Sequence, residues 1–179
     1  MVRAFLALEL SQEIRDRLGE AQQVFRGCSG RFTYVEPENI HITIKFLGEV
    51  EEKDLPGMQA ALQKITFPPF SVNAGTVTVN NYKRPHTIWC EIDDGGQGEL
   101  LLKLAEEQLA PFGFPCETRR FTPHATIARI KVPDPSLFPA LRLLKGKTYG
   151  SSTINGMKLK KSTLTRQGPV YEDLYEAKW

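Results

Sequence analysis

The chain has 179 residues; 41% are hydrophobic, 25% are charged, and the formal net charge is +2. This length and composition are typical of a globular protein with one compact domain, or with two small lobes that share a surface. The small net charge argues against a large surface that coats nucleic acid, but leaves a local contact with a phosphate backbone open. No window approaches the roughly 18 unbroken apolar residues of a membrane helix, so we expect no membrane partner.

The number and spacing of the cysteines indicate the redox state of the cellular compartment. Cys28, Cys90 and Cys116 are odd in number, scattered, and lack a Cys-x-x-Cys spacing. This pattern argues against a disulfide framework and against a zinc site, and it favours a reducing compartment. We therefore expect a cytoplasmic protein. The apolar run over residues 2–10 is too short for a signal core and contains Glu9, so it predicts a strand.

Hydrophobic periodicity predicts strands that alternate with helices along the whole chain. The predicted strands cover 2–10, 32–35, 41–48, 70–80, 87–92, 121–130, 153–164 and 170–179. The predicted helices run from a Ser11 N-cap through Phe25, and then over 55–65, 100–109 and 135–144. Strands paired through turns, with helices between them, predict an α+β protein with antiparallel sheets.

One short polar pattern occurs twice inside these strands. His41 and Thr43 form the first copy, and His124 and Thr126 form the second, close to half a chain away in a sequence with only three histidines. Alternate residues of a strand share a face, so each His and Thr should point the same way. In the first copy this alternation places Lys45 on the polar face. It sends the next apolar residues, Ile42, Ile44 and Phe46, into a core.

Two imidazoles that face one another are suited to concerted acid–base catalysis, because near neutral pH one can be neutral and the other protonated. Threonine hydroxyls beside them can donate to phosphoryl oxygens, and Arg129 and Lys45 could add fixed positive charge. Other chemistries fit less well. The motifs contain no carboxylate or Cys for a metal, and the chain lacks a Gly-x-Ser-x-Gly elbow. We expect the third histidine, His86, to be structural or exposed.

The two motifs carry a family resemblance. Residues 39–48 (NIHITIKFLG) and 121–129 (FTPHATIAR) closely resemble the paired motifs of the two-histidine phosphoesterases. Within them the match is to the LigT-like RNA 2′,3′-cyclic phosphodiesterases, also called 2′-5′ RNA ligases. Residues 3–8 are similar to the family's first strand and residues 159–174 to its closing hairpin, so the resemblance spans essentially the whole chain.

The resemblance implies a bilobed α+β fold over residues 1–179, a single domain. Two antiparallel sheets with flanking helices would form a pseudo-two-fold duplication around a central cleft, each lobe giving one His-x-Thr motif. It implies that a 2′,3′-cyclic phosphate is opened to a 2′-phosphate without metal or cofactor. By similarity, His41 protonates the departing 3′-oxygen and His124 activates water. Thr43, Thr126 and Arg129 hold the phosphate.

Arg129 poses a geometric problem, because it lies five residues after His124 and strict alternation sends it to the opposite face. Either the strand ends or bulges before it, or its long side chain curls around. The residues between Tyr82 and His86 depart from what the family leads us to expect in that loop, which leaves its substrate contacts open.

Two further activities stay open at this level. The same site run in reverse would let a 5′-hydroxyl attack the cyclic phosphate, giving a 2′-5′ RNA ligase that needs no ATP. A non-catalytic module that binds RNA ends would keep a basic cleft but would not need both histidines. The expected partners are RNA ends or nucleotides with a 2′,3′-cyclic phosphate, tRNA fragments among them, and we expect a monomer.

Overall fold

The structure is a computed structural model that describes residues 1–166 and 168–179. The strands are β1 (Val2–Glu9), β2 (Arg31–Tyr34), β3 (His41–Val50), β4 (Phe70–Val79), β5 (Thr87–Asp93), β6 (His124–Val132), β7 (Gly150–Ile154), β8 (Gly156–Thr165) and β9 (Gly168–Lys178). The α-helices are α1 (Gln12–Gln22), α2 (Leu55–Leu62), α3 (Gln97–Leu109) and α4 (Leu137–Leu143). None of the helices in these residues is long and apolar enough to cross a membrane.

The first helix forms where the sequence predicts it. The Ser11 hydroxyl accepts a hydrogen bond from the Ile14 N–H at 3.4 Å and so satisfies one of the free donors at the helix N-terminus. Ile14 and Leu18 lie one helical turn apart and are buried. The apolar face of α1 is thereby fixed towards the core.

The strands form an antiparallel sheet that is symmetric about its centre, where the two motif strands β6 and β3 are neighbours. From one edge to the other the order is β7-β4-β5-β6-β3-β1-β8-β9, and β2 pairs with β6. Three strands thus lie between each motif strand and the nearer edge of the sheet: β5, β4 and β7 beyond β6, and β1, β8 and β9 beyond β3. In the described residues β3 and β6 pair at one position, Ile42 opposite Ala125. The α+β class and the pseudo-two-fold arrangement are confirmed, and the two predicted sheets are joined at this pair into one curled sheet.

The strand predicted over 153–164 is two strands. β7 pairs with β4 at one edge of the sheet, whereas β8 pairs with β1 in the other half, so the chain changes partner at Asn155. A Cβ at Gly156 would lie 2.7 Å from the Ala177 carbonyl oxygen, so this close approach of β8 to β9 requires glycine. A continuous apolar pattern does not reveal such a change of partner, because both strands bury their side chains.

The two halves share one hydrophobic core on the face of the sheet that packs against the helices. Helix α1 packs against β6 and β7, and helix α3 packs against β3. Each long helix therefore contacts a motif strand. Ile42 and Ile127 are buried on this face, which leaves the polar residues of the motif strands on the other face.

Candidate active site

Both His-x-Thr motifs line one cleft at the junction of the two halves, with a volume of about 500 Å³. Its walls include His41, Thr43, His124, Thr126 and Arg129. A larger and shallower groove of about 610 Å³ runs along β4 and β7. It carries none of the motif residues, so the cleft between the halves is the candidate site.

Arg129 reaches the cleft because β6 contains a bulge. In the β5–β6 ladder Ile88 lies opposite Ala128 but Trp89 lies opposite Thr126, so Ile127 is an extra residue. Ile127 and Ala128 are consecutively buried, and the alternation resumes one residue later. A bulge reverses the face on which later side chains lie. It therefore places Arg129 on the same face as His124, which decides among the sequence alternatives.

The first motif strand has a bulge at the matching place. Leu6 of β1 lies opposite Lys45 and Ala7 lies opposite Thr43, so Ile44 is the extra residue. The two strands start with the same sequence of exposed and buried positions. Lys45 therefore turns away from the polar face and Phe46 turns out.

This bulge corrects two expectations from strict alternation. Phe46 was predicted in the core, but it is 67% exposed and lines the cleft at the position that Arg129 has in the second motif. Lys45 borders the cleft, but its ammonium lies 2.6 Å from the Glu106 carboxylate and 2.7 Å from the Pro115 carbonyl oxygen. Its side chain is 7% exposed. Because its charge is already paired, we leave it out of the phosphate site.

The two imidazoles are oriented in the same way. His41 Nδ1 lies 2.7 Å from the Asn39 carbonyl oxygen, and His124 Nδ1 lies 2.7 Å from the Thr122 carbonyl oxygen. A carbonyl can only accept, so each Nδ1 carries the proton and each Nε2 is the basic atom of the neutral ring. The Thr43 hydroxyl lies 3.1 Å from His41 Nε2. It can donate to the neutral ring and accept from the protonated one.

Burial lowers the pKa of both histidines. For His41 the pKa falls to about 4, and the hydrogen bond to Asn39 offsets only part of this. The positive charge of Lys160 lowers the His41 pKa further, the Glu9 carboxylate raises it, and a charge on His124 also lowers it. Burial also lowers the pKa of His124, against the hydrogen bond to Thr122. Both rings are therefore neutral at pH 7 until a bound anion raises their pKa values.

His86, the third histidine, is exposed and lies outside the cleft, as expected. Its backbone N–H donates to Asn80 Oδ1 at 3.0 Å, and its Nε2 lies 2.6 Å from Asn80 Nδ2. These contacts close the turn that carries Tyr82. His86 is thus a structural residue of the β4–β5 connection.

Comparisons with known proteins identify the family of this chain. A family model described as LigT like phosphoesterase matches residues 8–89 and 94–171, two stretches that each contain one motif. The chain belongs to the LigT-like phosphoesterase family. A protein of Archaeoglobus fulgidus named RNA 2′,3′-cyclic phosphodiesterase is 32% identical, with 97% of this chain and 98% of that protein covered. A protein of Aeropyrum pernix with the same name is 39% identical over 80% and 84% of the two chains.

Solved structures give the same family fold. The crystal structure of the Thermus thermophilus protein TT0787 has a TM-score of 0.83 and 28% identity, and covers 98% of this chain and 97% of its own. Escherichia coli LigT complexed with 3′-AMP has a TM-score of 0.79 over 99% and 97% of the chains, at 22% identity. The second likeness supports the fold alone.

Aromatic residues of this phosphoesterase surround the histidines, and sequence reasoning gave them no role. The Trp89 ring lies 4.1 Å from the His124 ring, centroid to centroid. The rings of Phe5 and Tyr171 lie 5.1 and 5.5 Å from that of His41. Trp89 could have been found from its place on the strand that pairs with the second motif, whereas the β9 residue Tyr171 approaches only in the folded chain.

The candidate phosphate-binding groups are cationic or neutral donors. Arg129 is exposed in the cleft, and no carboxylate in the described part of the chain lies within ion-pair distance of its guanidinium. Thr43 and Thr126 flank the histidines. Among the residues that the structure describes, no three His, Cys, Asp or Glu side chains are grouped so that they could hold a metal ion.

Proposed function

We propose that this phosphoesterase hydrolyses RNA or nucleoside 2′,3′-cyclic phosphates to 2′-phosphomonoesters by two-histidine acid–base catalysis without a metal. The observation that carries the proposal is the matched pair of imidazoles in one cleft, each held through Nδ1 by a backbone carbonyl. The names of the Archaeoglobus and Aeropyrum relatives support the substrate class. We treat residues 1–179 as one domain of two lobes, each giving one motif.

The proposed reaction is an in-line displacement at phosphorus. His124 Nε2 takes a proton from water, whose oxygen forms a bond to phosphorus while the bond from phosphorus to the 3′-oxygen breaks. His41 Nε2 gives its proton to that 3′-oxygen, and the phosphate stays on the 2′-oxygen. The cycle ends with His124 protonated and His41 neutral, and exchange with solvent resets both.

The surroundings of each ring support this division of labour. His124 gains a positive charge as it removes the proton, and Trp89 beside it can stabilise an imidazolium through its ring face. His41 must be protonated before the reaction, although burial holds its pKa at about 4. A phosphate monoanion next to His41 supplies the opposite charge that raises this pKa. Substrate binding and charging of the acid are thereby coupled.

Three side chains would hold the phosphate. The Thr43 and Thr126 hydroxyls donate to its non-bridging oxygens, and the Arg129 guanidinium supplies the charge that stabilises the transition state. The bulge in β6 supports this role for Arg129, since it turns the side chain to the face that carries His124. Lys45 has no part in this set, because Glu106 neutralises it.

The experiment that tests the proposal is incubation with each nucleoside 2′,3′-cyclic phosphate in excess chelator. We expect the 2′-phosphomonoester as the product, identified by ³¹P NMR, at a rate unchanged by chelation. Activity that disappears with chelator and returns with zinc or manganese would contradict the metal-independent mechanism. A 3′-phosphate product would contradict the assignment of the leaving oxygen.

Reverse ligation uses the same residues. A 5′-hydroxyl in place of water would give a 2′-5′ linkage, and its yield should fall as RNA ends are diluted, because water is present at far higher concentration. The monomeric state, tRNA fragments as substrates and the cytoplasmic location stay predictions. The first can be tested by light scattering, and the second by assays on cleaved tRNA.

A further inference from the structure

The segment over residues 115–122 forms a wall of the cleft and leads directly into the second motif. Arg119 and Arg120 on this segment line the cleft together with Arg129. In the described part of the chain neither guanidinium has a carboxylate within ion-pair distance. The Glu117 carboxylate accepts from the N–H groups of Thr118 and Arg119, at 3.1 and 3.2 Å, so it is engaged within the segment itself.

A partly buried ion pair attaches this segment to the first motif strand. Lys45 Nζ donates to Glu106 Oε1 at 2.6 Å and to the Pro115 carbonyl oxygen at 2.7 Å. The same Glu106 oxygen accepts from the Glu117 N–H at 2.6 Å. The Lys45 and Glu106 side chains are only 7% and 12% exposed. The pair therefore holds the segment at two points of its backbone.

The other half of the molecule makes the corresponding attachment without charge. There the segment before the first motif pairs with β6 as strand β2, with Tyr34 opposite Ala128. The buried Gln22 amide donates to the carbonyl oxygens of Val35 and Ile127, at 2.6 and 2.8 Å. Lys45 follows His41 by four residues, as Ala128 follows His124. An ion pair thus occurs where the other half has a backbone ladder.

Stability alone gives a weak reason for this ion pair. The cost of removing both charges from water often cancels the attraction between them, and apolar pairs of similar volume are frequently as stable. The segment over 115–122 has no strand pairing of its own to fix it. Lys45 and Glu106 bind its backbone at residues 115 and 117, and Phe121 packs against the core near its other end.

We propose that Lys45 and Glu106 are positioning residues that hold the 115–122 segment so that Arg119 and Arg120 contact the backbone phosphates of an RNA strand whose 3′ end occupies the cleft. The inference rests on the proposed function, because the cyclic phosphate fixes where the strand enters. Phosphate contacts of this kind carry no base sequence information. They favour oligonucleotides over mononucleotides.

The test compares a nucleoside 2′,3′-cyclic phosphate with a six-nucleotide RNA that ends in the same group. Lys45→Met combined with Glu106→Leu should raise KM for the RNA roughly 10- to 100-fold, by loss of two charge-assisted contacts, and leave kcat for the mononucleotide unchanged. Arg119→Gln with Arg120→Gln should give the same rise. Combining all four changes should add little to either double change, because the ion pair affects RNA binding only through the position of the two arginines. Additive losses, or equal losses on both substrates, would overturn the proposal.

The matched control is Lys45→Met with Glu106→Gln, which also removes both charges but keeps an oxygen to accept from the Glu117 N–H. We expect it to recover part of the RNA affinity, and amide hydrogen exchange over 115–122 to be slower than in the Leu variant. Equal exchange in the two variants and the wild type would overturn the positioning role.

A binding experiment distinguishes failure of this inference from failure of the proposed reaction. A fluorescent six-nucleotide RNA with a 3′-phosphate is followed by anisotropy against salt. Log affinity falls as log salt rises, and this negative slope should become shallower by about 1.4 in the Lys45→Met, Glu106→Leu variant, as expected for the loss of two single-strand phosphate contacts. If the wild-type protein is inactive on cyclic phosphates but the variant shows this slope change, the proposed reaction is contradicted and the proposed RNA contact is supported. An unchanged slope in an active enzyme would overturn the RNA contact alone.

Discussion

The two catalytic candidates are alike in orientation and different in surroundings. Each Nδ1 is bound to the carbonyl oxygen of the residue two positions earlier, so the backbone at the start of each motif strand sets the tautomer. His41 packs beside Phe5 and Tyr171, whereas His124 packs on Trp89. Two rings of the same chemistry can thereby take different roles in one transition state.

Substitution of either histidine tests the pair directly. His41→Ala and His124→Ala should each lower kcat on a 2′,3′-cyclic phosphate by roughly 10²–10⁴-fold, the usual contribution of general acid–base catalysis. The double variant should lose little more, because both act in one step. Thr43→Ala and Thr126→Ala should cost less, since each removes a neutral donor.

His86→Ala is the matched control, since His86 is exposed and bonded within its own turn. It should keep near-wild-type turnover. Loss of activity in His86→Ala together with retention in His124→Ala would show that the catalytic pair is misassigned.

The low pKa of His41 predicts how stability depends on pH. The folded pKa is about 4, against about 6.5 in the unfolded chain, so between these values the unfolded state binds the extra proton. The free energy of unfolding should therefore fall by up to about 3 kcal/mol as pH drops from 6.5 to 4. Urea unfolding of wild type and His41→Gln should show this part of the slope in the wild type only. An equal slope in both proteins would contradict the buried, neutral state of His41.

The pH profile of kcat/KM reports the same groups in the free enzyme. Because burial lowers both histidine pKa values, its maximum should lie below pH 6.5, while the profile of kcat shifts to higher pH as bound phosphate raises them. Stopped assays between about pH 4 and 9 give both curves. A value of kcat/KM that still rises at about pH 8 would show that the free enzyme does not need a protonated His41.

At the scale of elements, the paired bulges determine the active-site face. An extra residue at the same place in each motif strand, Ile44 in β3 and Ile127 in β6, puts the residues zero, two and five positions after the histidine on one face. Strand β3 has a second irregularity at Leu47, beyond these positions. The fifth position is Phe46 in one half and Arg129 in the other. The two strands therefore place an aromatic side chain and a cationic side chain at equivalent positions, and the two halves differ there in residue type.

The connection between β7 and β8 is a second element-level feature that mutation can test. Gly156→Ala should lower the free energy of unfolding by about 1–3 kcal/mol, because the added methyl group meets the Ala177 carbonyl oxygen and the backbone must shift. Gly27→Ala is the control, since a Cβ there meets nothing within 4 Å. Urea denaturation of both variants measures the difference. Equal stability of the two would contradict this close packing.

At the scale of the whole molecule, the site spans two halves that pair at one position in the described sheet. Thr43 from one half and Arg129 from the other line the same cleft, and in the proposed reaction both contact the phosphate. Such a ligand binds only when both halves are folded and adjacent. It should therefore stabilise the molecule as a unit.

This coupling predicts a thermal shift. A nucleoside 2′-phosphate at about 100 times its Kd should stabilise the protein by about 2.7 kcal/mol and raise Tm by roughly 5–10 °C. At the same concentration Arg129→Gln should show a smaller shift, because its affinity is lower. Differential scanning fluorimetry with His86→Ala as the control measures both. An identical shift in Arg129→Gln would place the ligand elsewhere.

Features that depend on local pattern could be predicted from the sequence. The repeat of His and Thr at alternate positions predicted two strands that each present a polar pair on one face. The expectation that both pairs lie in one cleft came from the family resemblance. The Ser11 cap and the periodic leucines predicted helices, and the order of elements predicted the α+β class. These features follow from side-chain chemistry and from spacings within a few residues.

The faces of residues beyond the bulges, and the contacts between distant segments, depend on tertiary pairing and could not be predicted from local pattern. A bulge arises from the register between two strands, so the positions of Lys45 and Phe46 depend on β1, which is distant in sequence. The split at Asn155 and the ion pair from Lys45 to Glu106 depend likewise on partners far along the chain. Non-local pairing reverses the face of a side chain or changes its partner without altering the local pattern.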